Sequence, residues 1–186
     1  EGNETAIIAI TGVTSDGSAS ENGTQSETIT ITENDSAPTV TLSTSASSIN
    51  ENSGSTLTLT ATLSNATTAD VTVSLGTSGT GTEGTDYGTI SDITISAGST
   101  TGTTAFDPTD DSVYEGNETA IVAITGVSGG SATENGTQSV TITICEAGES
   151  PPTVTLTTSA SSIAENSGSS LTLTATLSNA TYEDVT

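Results

Sequence analysis

Residues 56–63 read Thr-Leu-Thr-Leu-Thr-Ala-Thr-Leu, a stretch in which every second side chain is apolar. This alternation predicts a β-strand with one buried face, because successive side chains of a strand point to opposite sides of the sheet. The same period occurs in residues 71–75, 93–95 and 140–144, and Thr, which favours strands, supplies most of the polar positions. The apolar content is as low as that of a disordered chain, but its regular placement predicts an all-β fold instead.

The sequence also repeats itself, with a period of 114 residues. Residues 1–13 recur with one substitution as residues 115–127, and residues 38–42 recur unchanged as residues 152–156. A period of this length suits one β-sandwich domain of ordinary size. We therefore expect a window from a tandem array, with the last two strands of one repeat in residues 1–36, a complete repeat in residues 37–150, and the first strands of the next repeat in residues 151–186.

Seven strands are predicted in the complete repeat. They cover about residues 39–49, 55–63, 71–76, 89–97, 100–107, 118–126 and 138–145. The connecting segments are rich in Gly, Ser, Asn and Asp, which are typical turn residues. The predicted fold class is a seven-stranded, antiparallel, immunoglobulin-like β-sandwich that is repeated in tandem.

The charge of the chain excludes several classes of function. It contains 23 Asp and Glu residues and no Lys, Arg or His, so its formal net charge is −23. Nucleic acid is excluded as a partner because phosphate binding requires basic side chains. Membrane insertion is not expected, since no apolar run approaches the roughly 18 residues of a membrane span. Catalysis is not expected either, because no nucleophile with a base partner is evident. The single cysteine, Cys145, is interpreted as a small strand-end residue, the alternatives being a free thiol or an intermolecular disulfide.

Acidic residues are concentrated in residues 107–118, which read Asp-Pro-Thr-Asp-Asp-Ser-Val-Tyr-Glu-Gly-Asn-Glu. Alternate loops of an antiparallel sandwich lie at opposite ends, and nine of the thirteen acidic residues between positions 38 and 151 map to the same end as this stretch. Two carboxylates about 5 Å apart repel by roughly 3 kcal/mol at an effective dielectric of about 20. Because no basic side chain can neutralise them, we expect a divalent cation with oxygen ligands, Ca²⁺, at this end of the sandwich.

Three motifs of the complete repeat resemble the Calx-beta domain family. They are Ile-Asn-Glu-Asn-Ser-Gly at 49–54, Gly-Thr-Asp-Tyr at 84–87, and Asp-Asp-Ser-Val-Tyr-Glu-Gly-Asn-Glu-Thr at 110–119. The resemblance implies a calcium-binding β-sandwich whose carboxylate ligands stand at Glu51, Asp86, Asp110, Asp111, Glu115 and Glu118. Ser112 occupies a position where the family often has a third Asp.

Further acidic residues are candidate ligands at the junctions between repeats. Glu146 and Glu149 follow the last strand of the complete repeat, where the family often has a longer acidic run. The corresponding acids of the preceding repeat are Glu1, Glu4, Glu33 and Asp35, and Glu165 belongs to the following repeat.

The function expected from these observations is mechanical. The chain is expected to be a segment of a bacterial-type extracellular stalk, adhesin shaft or filament, in which Ca²⁺ at the domain junctions stiffens the array. Its partners would be neighbouring repeats of the same chain and, in a filament, identical chains at the cell surface. Two other classes of function remain open, namely an adhesive or ligand-binding module and a calcium-sensing regulatory domain.

Overall fold

A computed structural model describes residues 2–14, 17–182 and 184–186 of the chain. A central β-sandwich is flanked by two hairpins, β1 (Glu4–Ala9) with β2 (Ser26–Ile31), and β12 (Val154–Thr158) with β13 (Leu173–Leu177). The sandwich contains β3 (Thr39–Thr44), β4 (Ser48–Asn50), β5 (Leu57–Leu63), β6 (Val71–Gly79), β7 (Ile93–Ile95), β8 (Thr101–Phe106), β9 (Glu118–Ser128), β10 (Thr133–Glu134) and β11 (Ser139–Cys145). A 3₁₀ turn, Glu51–Ser53, follows β4. No helix in the described part of the chain is long and apolar enough to span a membrane.

Two sheets enclose the core of the sandwich. One sheet has the strand order β10-β3-β5-β8 and the other has the order β4-β11-β9-β6-β7. The alternation read from residues 56–63 is realised in β5, where Leu57, Leu59, Ala61 and Leu63 are all buried. They meet buried side chains of the opposite sheet, among them Val71, Val73, Val122, Ile142 and Ile144. The predicted all-β sandwich is therefore confirmed, and most of its strand pairs are antiparallel.

The first predicted strand, residues 39–49, is divided in the structure. Residues 39–44 join the first sheet as β3, whereas residues 48–50 cross to the second sheet as β4 and pair in parallel with β11. Leu42 and Ile49 are both buried although they are seven positions apart, an odd spacing that a single flat strand cannot place on one face. A second parallel pairing joins β3 to the short β10, a strand that the sequence did not predict.

The fourth predicted strand, residues 89–97, is shortened to the three residues of β7. A register shift between Ser74 and Leu75 interrupts the pairing of β6 with β9. The carboxylate of Asp92 is located beside this irregularity and accepts hydrogen bonds from Ser74 Oγ and Leu75 N, each 3.0 Å long. Asp92 thus satisfies a backbone donor that a regular sheet would pair with a neighbouring strand, and β7 begins only after it.

The flanking hairpins have the same registers as parts of the sandwich. Glu4 pairs with Ile31 in the first hairpin as Glu118 pairs with Ile144 in the sandwich, and all six residue pairs of β1 and β2 correspond to pairs of β9 and β11. The five pairs of β12 and β13 correspond in the same way to pairs of β3 and β5. Similar sequences therefore adopt similar local structure on either side of the sandwich.

Candidate metal centre

The first carboxylate cluster consists of Asp86, Glu115 and Glu118, which each offer a ligand oxygen within 4.8 Å of the other two. Asp86 is buried at the end of a tight turn, where its Oδ2 accepts a hydrogen bond of 2.6 Å from Thr82 N. Tyr87, the next residue, is fully buried and stacks on Phe106 with a ring-centroid distance of 4.9 Å. The core thus fixes Asp86 in place, while Glu118 opens strand β9 beside it. We name these three residues the Asp86 cluster.

The second carboxylate cluster consists of Glu51, Asp110 and Glu149, whose ligand oxygens also lie within 4.8 Å of one another. Glu51 begins the 3₁₀ turn, which ends at Gly54 in the left-handed conformation. Its Oε1 accepts a hydrogen bond of 3.0 Å from Ala147 N and so fastens the turn to the segment after β11. We name these three residues the Glu51 cluster.

Glu146 connects the two clusters. Its Oε2 accepts hydrogen bonds from Glu115 N at 2.9 Å and Gly116 N at 3.0 Å, and its own backbone N–H donates to Asn117 Oδ1 at 3.0 Å. Its other oxygen, Oε1, is buried without a hydrogen-bond donor in the described structure, as is Oε2 of Glu149. Buried carboxylate oxygens ordinarily have a donor or a cation, so these two atoms indicate a place for a positive ligand.

Burial and the neighbouring carboxyls shift the pKa values of these groups. Burial, together with the neighbouring charges of Glu146 and Glu149, raises the pKa of Glu51 to about 7. Burial and the adjacent Asp86 raise the pKa of Glu118 to about 7, and the same two causes raise the pKa of Glu115. The carboxyl of Glu146, with which it can share a proton, raises the pKa of Glu149. Burial also opposes ionisation of Glu146, but the backbone donors of Glu115 and Gly116 outweigh it and lower the pKa of Glu146.

The donor set fits a hard cation. Both clusters consist of carboxylates alone, and Ca²⁺ is bound in proteins by six to eight oxygens in flexible geometry. Zn²⁺ sites, in contrast, are usually built from Cys and His, and the chain has no His. Cys145 is a half-buried free thiol at the end of β11 and belongs to neither cluster. The residues present therefore suit Ca²⁺ at each cluster.

We expect the metal-free chain to lose stability as the pH rises from about 4.5 to about 7. In this window the folded state still holds protons on Glu51 and Glu118 that the unfolded state has released, so stability decreases with pH. Because both groups are partly exposed and solvent screens their charges, we expect each to reduce the free energy of unfolding by about 1 kcal/mol. Thermal unfolding followed by circular dichroism in calcium-depleted buffer should give a melting temperature several degrees higher at pH 5 than at pH 8.

Below the pH range of this experiment, Glu33 has the opposite effect on stability. Backbone donors from Asp35 and Asn34 lower the pKa of Glu33 to about 2, so the stability that its carboxylate contributes is lost as the pH falls from about 4.5 to about 2. A melting temperature that rises steadily from pH 5 to pH 8 would contradict the expected repulsion within the clusters.

The structure places five of the remaining predicted ligands outside both clusters. Asp111 is exposed and its Oδ1 accepts a hydrogen bond of 2.7 Å from Val113 N, two residues further on. Glu4, Glu33, Asp35 and Glu165 lie in or beside the flanking hairpins, where they are exposed. Glu1 lies outside the described residues. A role for these six residues in metal binding stays a prediction.

Some contacts that position the site were not predicted from the sequence. Asn117 holds the backbone of Glu146, and the equivalent contact, from Glu33 N to Asn3 Oδ1 at 2.8 Å, recurs in the first hairpin. The repeated Glu-Gly-Asn-Glu motif contains this Asn in both copies, but from the sequence alone a neutral Asn between acidic residues indicates only a turn. Glu83, which shares the acidic end, has a structural role instead, because its carboxylate accepts hydrogen bonds from Thr77 Oγ1 and Ile90 N.

The fold and the site define the class of this protein as an all-β sandwich with two carboxylate clusters, suited to a hard cation, at one end. The sequence model of the Calx-beta domain matches residues 33–148, about three fifths of the chain. The chain therefore belongs to the Calx-beta family, whose domains are calcium-binding modules and not catalysts. No curated protein sequence matches the chain.

The solved structures that resemble the chain include two Calx domain structures. A crystal structure of the apo-form Calx CBD1 domain has 19% sequence identity and a TM-score of 0.47, with 58% of this chain and 97% of that chain covered. A crystal structure of CBD12 from CALX1.2 has 20% identity and a TM-score of 0.46, with 53% of this chain and 41% of that chain covered.

Proposed function

We propose that this chain is a calcium-binding structural module in a tandem array that forms an extracellular stalk, adhesin shaft or filament. The observation that carries the proposal is the position of the Asp86 and Glu51 clusters. Both lie at the end of the sandwich where β11 leads into the second hairpin, and Glu149 in the connecting segment belongs to the Glu51 cluster. A cation bound there would be held partly by the segment that joins one module to the next.

A direct contact between the sandwich and the segment that follows the second hairpin supports this role. Tyr114 forms an isolated β-bridge with Thr181, and the adjoining cleft of about 370 Å³ is also lined by Glu115, Pro152 and Tyr182. Glu115 thus belongs both to the Asp86 cluster and to the junction. When bound, Ca²⁺ would supply the positive charge that the chain lacks. The carboxylates of both clusters would then no longer repel, and the junction beside them would become stiffer.

The repeated registers support the proposed array. In this proposal, residues 1–36 are the end of one module, residues 37–150 a complete module, and residues 151–186 the start of the next. A cleft of about 710 Å³ at the other end of the sandwich is lined by Gly2, Glu33, Asp35 and residues 65–69, so the acidic linker between β2 and β3 also faces the sandwich. The partners proposed are neighbouring modules and identical chains, at the cell surface or outside the cell.

Calcium sensing is a second candidate function, and the double membership of Glu115 is the observation that favours it. A ligand to the Asp86 cluster that also lines the junction could transmit calcium occupancy to a following domain. In a sensor, calcium would switch the junction between two defined arrangements. In a stalk, calcium would narrow a broad distribution of junction arrangements without switching between two states.

Isothermal titration calorimetry of the 186-residue chain tests calcium binding. We expect calcium to bind at both clusters. The Glu115→Gln/Glu118→Gln variant should lose binding at the Asp86 cluster, and the Glu51→Gln/Asp110→Asn variant should lose binding at the Glu51 cluster. Glu27→Gln, in the exposed strand β2 and outside both clusters, is the matched control for the loss of charge and should bind as the parent does. No heat with the parent chain at about 10 mM calcium, above the affinity range of extracellular modules, would refute the proposal.

Small-angle X-ray scattering distinguishes the stalk from the sensor. With calcium, a stalk should give a narrower distribution of interatomic distances and a constant or greater maximum dimension than in chelator. Scattering that fits a two-state mixture with a calcium-dependent ratio would instead favour the sensor. Identical scattering profiles with calcium bound and removed would contradict both functions.

A further inference from the structure

The loop between β10 and β11 covers an edge of the first sheet. Strand β3 pairs with β5 on one side and with the two-residue strand β10 on the other. The loop extends this second pairing, because Asn135 N donates to Val40 O at 2.9 Å and Gln138 Oε1 accepts a hydrogen bond of 3.3 Å from Leu42 N. It thus satisfies backbone groups of β3 that would otherwise form an open strand edge.

The same loop contains the dipeptide Asn135-Gly136, and both residues are exposed. Gly136 has a φ of 66°, a left-handed conformation that glycine adopts without steric cost. In the part of the chain that the structure describes, neither the N–H of Gly136 nor the side-chain amide of Asn135 forms a hydrogen bond. No hydrogen bond therefore keeps the backbone nitrogen of Gly136 away from the side-chain carbonyl carbon of Asn135.

We propose that Asn135 is a site of spontaneous deamidation through a succinimide. The backbone nitrogen of Gly136 attacks Cγ of Asn135, and the new C–N bond closes the succinimide ring. The bond from Cγ to the amide nitrogen breaks, and this nitrogen leaves as ammonia with the proton of the Gly136 nitrogen. Glycine favours the attack because it has no Cβ to obstruct it.

Water completes the reaction by opening the ring at either of its two carbonyls. Opening at the backbone nitrogen's bond to Cγ leaves an aspartyl residue at position 135. Opening at the original backbone carbonyl leaves an isoaspartyl residue, in which the main chain runs through the former side chain. Water is the sole co-reactant, so the reaction requires neither an enzyme nor an oxidant.

Both products disturb the covered edge of β3. An aspartyl residue adds a negative charge beside Glu134, whose carboxylate already accepts a hydrogen bond from Gln138 N. An isoaspartyl residue lengthens the main chain between the contact to Val40 and the contact to Leu42, so the loop no longer fits both. The edge of β3 then becomes accessible to solvent and to other strands.

This site is separate from the carboxylate clusters. Strand β9 begins at Glu118, in the Asp86 cluster, and runs to the opposite end of the sandwich, and β11 returns from there to Cys145. The loop with Asn135 lies between these two strands in the chain, at the end away from the clusters. The inference therefore goes beyond the proposed function and does not rest on calcium binding.

Ageing of the 186-residue chain followed by peptide mapping tests the modification. The folded chain is incubated at neutral pH, unfolded in acid to stop the reaction, and cut with a Glu-specific protease, which releases residues 135–146 as a peptide with a single Asn. Chromatography with mass spectrometry should show aspartyl and isoaspartyl forms of this peptide that increase with time. An unchanged peptide would overturn the proposal, and its conversion in a urea-unfolded sample would then show that the fold prevents the reaction.

Asn65 is a matched internal control, because it is also exposed but is followed by Ala66. It should remain unchanged while Asn135 reacts, and equal conversion of the two would overturn the proposed attack by a glycine nitrogen. Gly136→Ala should slow the reaction of Asn135 about tenfold, which corresponds to about 1.4 kcal/mol in the activation free energy. The added Cβ meets no atom within 4 Å, so this variant should fold. An unchanged rate in Gly136→Ala would also overturn the proposal.

Hydrogen exchange at Leu42, measured by NMR, tests the effect on the sheet. The Leu42 N–H should exchange faster in the aged parent chain than in the fresh chain, because its acceptor is on the modified loop. In Asn135→Gln, which cannot form this succinimide, ageing should leave the exchange rate of Leu42 unchanged. Unchanged exchange in a chain that contains isoaspartate would overturn the proposed opening of the β3 edge.

Discussion

Saturating calcium is expected to raise the melting temperature of the chain by roughly 15 °C. A ligand at 100 times its dissociation constant stabilises the folded state by about 2.7 kcal/mol per site, so two clusters contribute about 5 kcal/mol. A domain of this size gains about 3 to 4 °C per kcal/mol. The effect is large because the carboxylates repel one another in the metal-free state, and differential scanning calorimetry with calcium and with chelator measures it directly.

A neutralised variant gives this experiment its control. In Glu51→Gln/Asp110→Asn/Glu115→Gln/Glu118→Gln, four charges of the two clusters are removed while the side-chain shapes are kept. We expect this variant to melt above the parent chain in chelator, because the repulsion is relieved, and to show no calcium shift. A calcium shift that persists in the variant would place the bound ions elsewhere. A variant that melts below the metal-free parent would mean that these carboxylates stabilise the fold without metal.

Much of the fold was predictable because alternation determines which side chains face the core. Leu57, Leu59 and Leu63 are buried as their spacing required. The period fails where the backbone departs from a regular strand. Leu75 is only half-buried because it follows the register shift in β6, and the crossing of residues 39–49 between sheets depends on tertiary pairing with β11.

The sequence predicted the end of the sandwich at which the candidate site lies, but not the grouping of its carboxylates into two clusters. Loop alternation in an antiparallel sandwich brings Glu51, Asp86, Asp110 and Glu118 to one end, as predicted. Which carboxylates share a cluster depends on loop conformation, which has no period in the sequence. Asp111 shows the limit most clearly, because its carboxylate bonds to the backbone two residues ahead, a local alternative that short acidic side chains commonly adopt.

The substitution Phe106→Ala is expected to reduce the free energy of unfolding by about 3 to 5 kcal/mol, a large part of the stability of a small domain. Phe106 is fully buried at the end of β8, and its ring stacks on that of Tyr87 with an interplanar angle of 26°. Removing the ring leaves a cavity that the two sheets cannot close, since each is held by its own hydrogen bonds. Urea unfolding with saturating calcium, followed by circular dichroism, measures the loss while the added stability keeps the variant folded.

The same substitution should weaken the Asp86 cluster more than the Glu51 cluster. Without Phe106, Tyr87 no longer anchors the turn that holds Asp86, whereas Glu51 is held by the 3₁₀ turn and by Ala147 N. Of the Glu51 cluster, Asp110 lies on the segment after β8 that bonds to the Asp86 turn, through Thr109 N and Asp86 O at 2.9 Å. Calorimetric titration should therefore show a large loss of affinity at the Asp86 cluster and a smaller one at the Glu51 cluster. Phe106→Leu, which fills most of the cavity, should show a smaller loss of both stability and affinity. Equal weakening of the two clusters would mean that Phe106 acts through global stability alone, and the proposed coupling between the aromatic pair and Asp86 would be wrong.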